Sequence, residues 1–205
     1  VIITWILAVL GAMPLPAASV AQIKFEPVIN LDIVSKDTIP PFAIMGDFDF
    51  LSDEELRARL EADIGFLGSL SIGTVENGVL LNSSPMPPDS KWDIVNPSES
   101  WGTEETIGFI RTAIEKVNQI YPDTPPLYIG DISHPNGGTL NRHASHQAGR
   151  DADLGFFYQG GKGTWYTPGS SRSLDLPRNW ALLRALLTYT DIECILLDIR
   201  IQKLI

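Results

Sequence analysis

Three histidines serve the whole 205-residue chain, and all of them fall between positions 134 and 146. Two of these, His143 and His146, stand three residues apart, and a carboxylate, Asp153, follows the second by seven. Two imidazoles and a carboxylate are the donor set of a catalytic zinc site that keeps its fourth position open for water. Gly149 lies between the histidine loop and the carboxylate, where a missing side chain lets the backbone turn and bring the two together. Spacing alone leaves a plainer reading open, in which the histidines cap loop backbone groups and Asp151 and Asp153 lie on a solvated strand edge. His134, alone in a turn before Pro135, reads as an ordinary loop residue.

The elements around this cluster can be read from pattern. From Arg150 to Tyr158 the chain alternates with period two. Asp151 and Asp153 then share one face of a strand, while Ala152, Leu154 and Phe156 share the other, the expected core face. Leu127-Tyr128-Ile129 is expected to be a buried strand leading into a loop over 131–142, where Pro135, Asn136, Gly137 and Gly138 demand turn geometry. Before it, Thr103 can cap a helix whose apolar stripe is Ile107, Ile110, Ile114 and Val117, and which Pro122 ends. A capping box at Ser52 to Glu55 predicts a helix over about 53–63. A second amphipathic helix is expected over 180–187. The segment 192–201 reads as a buried strand followed by a helix start. Short helices and strands without βαβ regularity predict an α+β domain.

Composition narrows the chemistry further. The formal net charge is -10, which disfavours nucleic acid as a partner. The single Cys194 excludes an internal disulfide and any paired-cysteine zinc or redox site. The apolar run 1–13 is shorter than the roughly 20 residues that span a bilayer, and with Pro14, Pro16 and the small residues after them it reads as part of a secretory signal. Three regions are expected: a partial signal peptide over 1–21, an N-terminal extension over 22–70, and the chemistry-bearing domain over 71–205. The mature protein would carry no integral membrane segment. Its periplasmic or secreted location follows from the signal.

The run HASHQAGRDADLGF, residues 143–156, closely resembles the signature of the penicillin-insensitive murein endopeptidases. These are bacterial zinc peptidases grouped with lysostaphin-type enzymes, D-Ala-D-Ala carboxypeptidases and the hedgehog signalling domain. Ser71-Ile72-Gly73, Trp101-Gly102-Thr103, Leu127 to Ser133, Gly137-Gly138 and Ile195 to Gln202 extend the resemblance over about 71–205. It implies a small antiparallel-sheet metallopeptidase domain with flanking helices. It also implies that His146 and Asp153 bind Zn2+, that His143 is a ligand or its close neighbour, and that Asp151 orients the strand or a ligand from behind. Ser145 and Gln147 would shape the loop, and Trp165 and Tyr166 either line the cleft or merely pack.

The implied substrate is the peptide cross-bridge of peptidoglycan, cut between D-alanine and meso-diaminopimelate by a metal-activated water. With no serine nucleophile, a β-lactam has nothing to acylate. The alternatives are a D-Ala-D-Ala carboxypeptidase of the same fold group or a murein-binding pseudoenzyme. The family completes its site with a further histidine from an H-x-H-like segment near the C-terminus, and no histidine follows His146 here. The C-terminal part of the domain is therefore expected to be missing. No catalytic group beyond the metal ligands is identifiable, and this chain alone is expected to be inactive beside an active full-length parent.

Overall fold

The computed structural model describes residues 2–4, 52–140, 142–161, 163–165 and 167–205. Of the boundaries drawn from the sequence, that at 21/22 lies outside these residues and that at 70/71 falls within the strand Leu70–Thr74, while Ile2–Thr4, inside the expected signal segment, pairs as a strand with 151–153 and 194–196.

In chain order the strand β1 (Ile2–Thr4) is followed by helix α1 (Asp53–Ala62), then by strands β2 (Leu70–Thr74), β3 (Asn77–Leu81), β4 (Ser84–Pro85), β5 (Trp92–Ile94) and β6 (Trp101–Gly102). Helix α2 (Glu104–Ile120), β7 (Leu127–Ile129), β8 (Asp151–Asp153), helix α3 (Leu176–Tyr189), β9 (Cys194–Leu196) and the short helix α4 (Ile199–Gln202) complete the order. The expected α+β class holds. Two small sheets, β2 with β3 and β4 with β6, are antiparallel. The strands nearest the histidine cluster are joined differently: β5 pairs parallel with β7, and β1 pairs parallel with both β8 and β9.

The local reasons are chemical. Ser52 caps α1 in a reciprocal capping box with Glu55, as the sequence requires. The Thr103 side chain accepts from the Thr106 N–H to start α2, with Glu104 and Glu105 placed where the helix dipole favours negative charge. Ile110, Ile114 and Val117 of α2 are fully buried and belong to one core with Leu182 and Leu186 of α3, Leu127 and Ile129 of β7, and Leu154. Helix α3 begins earlier than its periodicity suggests, because the Asp175 side chain caps it and Pro177 fits its first turn.

The plainer alternative falls and one expectation is corrected. Asp151 and Asp153 do not lie on a solvated edge, because every residue from Asp151 to Tyr158 is buried. The strand over 194–196 is half-buried rather than buried, because it sits on the edge of its three-stranded sheet.

Candidate metal centre

Beyond Ile129 the β7 segment continues alongside β8. Gly130 donates to the Asp153 carbonyl at 2.8 Å, and Asp153 donates to the Asp131 carbonyl at 2.9 Å. This fixes the height of the Asp153 side chain. Gly130 also has a steric role, since a Cβ there would overlap the Trp165 indole and lie 3.0 Å from the Asp153 Cβ. Trp165 of the Gly/Ser-rich excursion is thus brought to the side of the cluster, whereas Tyr166 lies outside the described residues.

The histidine loop is clamped from two directions. Gln147 donates its backbone N–H to Val75, Arg150 reaches the Gly73 carbonyl at 2.6 Å, and Gly138 donates to the Gln147 carbonyl at 2.9 Å. On the other flank Thr103 donates to the Gly149 carbonyl at 3.1 Å. Gly149 has a φ of +65°, and an added Cβ would come within 2.7 Å of Leu80 and 3.0 Å of the Gly102 Cα. Glycine there serves both the turn and the close approach, as its position in the sequence suggests. His146 itself adopts a φ of +64°, a left-handed conformation that a side-chain-bearing residue seldom takes.

That conformation drives the His146 imidazole inward, where the residue is 2 % exposed. Its Nδ1 lies 3.2 Å from one Asp151 carboxylate oxygen, the same oxygen that accepts the His146 backbone N–H at 3.1 Å. Its Nε2 points to Asp153, 3.4 Å from Oδ1, which is longer than a good hydrogen bond. The His143 ring meets the His146 ring edge-on with centroids 4.9 Å apart. One donor atom from each of His143, His146 and Asp153 falls within 4.8 Å of the others.

The electrostatics are those of a cation site. Asp153 is fully buried, and neither of its carboxylate oxygens has a hydrogen-bond partner; Oδ1 of Asp151 is likewise without one. Buried polar atoms are nearly always satisfied, and an orphaned buried carboxylate calls for a counter-ion or a proton. Burial raises both carboxyls above the usual range, only partly offset by the His146 charge and, at Asp151, by the Ser145 hydroxyl. Burial pushes the His146 imidazole down, but the contact with Asp153 and the charges of Asp151, Asp153 and Asp131 outweigh it and lift the group to about 8. Two imidazoles and one carboxylate suit a borderline divalent cation such as zinc.

The four residues singled out from the sequence are therefore brought together, and His134 is not part of the cluster. Sequence reasoning missed Asp131. Its Oδ2 lies 3.0 Å from His143 Nε2 and 3.9 Å from an Arg142 guanidinium nitrogen. A lone carboxylate after a strand offers no periodic signal, and only the pairing of Gly130 and Asp131 with Asp153 reveals its place.

An α+β domain with a buried His/His/Asp cluster of this kind defines a candidate metal-binding domain. Residues 71–168, which hold every residue of the cluster, match the family described as penicillin-insensitive murein endopeptidase, so the resemblance carried by residues 143–156 is shown across that segment. Curated relatives bearing that same name come from Yersinia enterocolitica, 31 % identical over 88 residues, and Haemophilus influenzae, 30 % identical over 87 residues. One from Escherichia coli is 31 % identical over 99 residues. These alignments cover 41 %, 40 % and 46 % of this chain and 31 %, 30 % and 35 % of the respective relatives. The chain thus spans about a third of the length of the curated relatives it matches.

Proposed function

We propose that this protein carries the metal centre of a zinc-dependent murein endopeptidase, acting on D-alanyl-meso-diaminopimelyl cross-links of peptidoglycan in the bacterial periplasm or outside the cell. The observation that carries the reading is the buried Asp153 carboxylate, with both oxygens unpartnered and the two imidazoles beside it. His146, Asp153 and His143 would hold the ion, with Asp151 behind His146. Bound zinc supplies a water of lowered pKa and polarises the scissile carbonyl. The chain's own contribution is orientation: the Asp151 carboxylate accepts the His146 backbone N–H and lies beside the ring, and the buried strand keeps bulk water from the carboxylates. Trp165 offers an apolar wall beside Gly130 for the peptide. Among the described residues no helix is long and apolar enough to cross a membrane.

The test is digestion of purified, cross-linked murein by the full-length protein with zinc, with chelator, and with zinc restored after chelation. Loss of cross-linked dimers only when zinc is present, with new D-alanine carboxyl and diaminopimelate amino ends, is expected. Release of free D-alanine instead would identify a carboxypeptidase, and murein retention without cleavage would identify a binding protein. Cleavage that persists in chelator would overturn the zinc reading.

A further inference from the structure

We infer that Asp131 is a positioning residue that fixes the tautomer and orientation of His143. The inference rests on the metal-centre reading above, which it deepens. Each imidazole of the cluster has a carboxylate of its own. Asp131 stands 3.0 Å from Nε2 of His143, whereas Asp151, 3.2 Å from Nδ1 of His146, accepts the His146 backbone N–H and leaves that ring nitrogen without a hydrogen bond. A neutral imidazole carries one N–H and one lone pair, and a carboxylate beside one nitrogen selects the tautomer that places the N–H there. Asp131 thereby leaves Nδ1 as the lone-pair nitrogen of His143.

The placement of Asp131 is backbone-determined. Its carbonyl accepts the Asp153 N–H, and the next two residues, Ile132 and Ser133, both donate to the Glu99 carbonyl at 2.7 and 3.0 Å. The carboxylate is thus carried on a segment pinned on both sides, and the ligand strand sets its distance from His143. Its other neighbour, Arg142, is largely exposed and 3.9 Å away, a contact that contributes little. Both partners of the His143–Asp131 contact are mostly shielded, with side chains 18 % and 13 % exposed. Removing a carboxylate that orients a metal-site imidazole typically costs about 10- to 100-fold in metal affinity.

The test combines nitrogen NMR of the histidine rings in the metal-free protein with zinc affinity from competition against a chromophoric chelator. Wild-type His143 is expected as the Nε2–H tautomer. Asp131→Ala should release that bias and weaken zinc binding by about 10-fold or more. Asp131→Asn, which preserves shape and guards against a folding defect, should move both readouts in the same direction by less. In a His143→Ala background, Asp131→Ala should cost no further affinity, because its effect runs through the ring. An Nδ1–H tautomer in the wild type, a tautomer unchanged by Asp131→Ala, or an equal affinity loss in the His143→Ala background would each overturn the inference. Wild-type protein that shows the expected tautomer but binds no zinc would instead count against the metal-centre reading alone.

Discussion

Nε2 of His146 lies 3.4 Å from Oδ1 of Asp153, and that fully buried carboxylate has no hydrogen-bond partner at either oxygen. A protein gains nothing in stability from a buried charge left in this way, so the carboxylate calls for a ligand. Asp153→Asn keeps the volume and removes the charge. Zinc affinity should fall by at least about 100-fold, more than an orienting carboxylate is worth. The rise in Tm that zinc gives the wild type should disappear, while the metal-free Tm is maintained or higher. Calorimetric titration and thermal melts check both. Retained tight binding by Asp153→Asn would remove this residue from the ligand set.

The same pair sets a pH dependence. An imidazole raised from 6.5 to about 8 holds its proton more tightly in the folded than in the unfolded chain. Its contribution to metal-free stability is therefore complete below pH 6.5 and is lost as pH rises through about 8. Asp151 and Asp153, raised by burial, act in the same sense, because ionising them costs more in the folded state than in the unfolded one. Zinc must displace the His146 proton to bind, so its affinity rises over the same window. Melts with and without zinc between pH 6 and 9 should show the zinc-induced increase in Tm growing up to about pH 8. An increase that is constant or shrinks with pH would contradict this linkage.

His146 makes its contacts at the expense of a left-handed backbone, φ +64°, which costs a side-chain-bearing residue on the order of 1 kcal/mol relative to glycine. His146→Gly and His146→Ala both delete the imidazole, but only the glycine relieves the strain. In the absence of metal the glycine variant should be the more stable of the two by about 1 kcal/mol, as read from denaturant unfolding. Neither should bind zinc tightly. Equal stabilities would mean that the loop relaxes out of the left-handed conformation once the ring is gone.

Much of the site was legible because its chemistry is carried by residue type. Histidines are scarce, His143, His146 and Asp153 are close in sequence, and a glycine marks the turn between loop and strand. Helix α2 was legible for similar reasons, since its cap and apolar stripe are local. What eluded the pattern is long-range. The period-two alternation of β8 left a solvated edge open, but the Gly130–Asp131 segment, Trp165 and the histidine loop cover that face, and burial on both sides cannot be told from alternation. Asp131 was invisible for the same reason, because its neighbourhood exists only once the segment after β7 lies beside β8. The parallel pairing of β8 through β1 to β9 joins strands from three distant parts of the chain.

Gly130 provides the most direct test of how Trp165 and Asp153 share space. A methyl group at position 130 would overlap the Trp165 ring and crowd the Asp153 Cβ at 3.0 Å. The backbone there is tied to Asp153 by a 2.8 Å hydrogen bond and cannot easily retreat. Gly130→Ala should therefore destabilise the protein by about 1–3 kcal/mol, the range for overpacking, and weaken zinc binding by displacing Asp153. Trp165→Ala opens the space that the methyl needs. In the double variant the stability loss should be smaller than the sum of the two single losses, with the difference measurable by denaturant unfolding. Zinc affinity should recover only in part, because the crowding of Asp153 remains when the indole is gone. Strict additivity of the two stability changes would show that Trp165 does not pack against position 130 in solution, and its role as the wall of the cleft would fall with it.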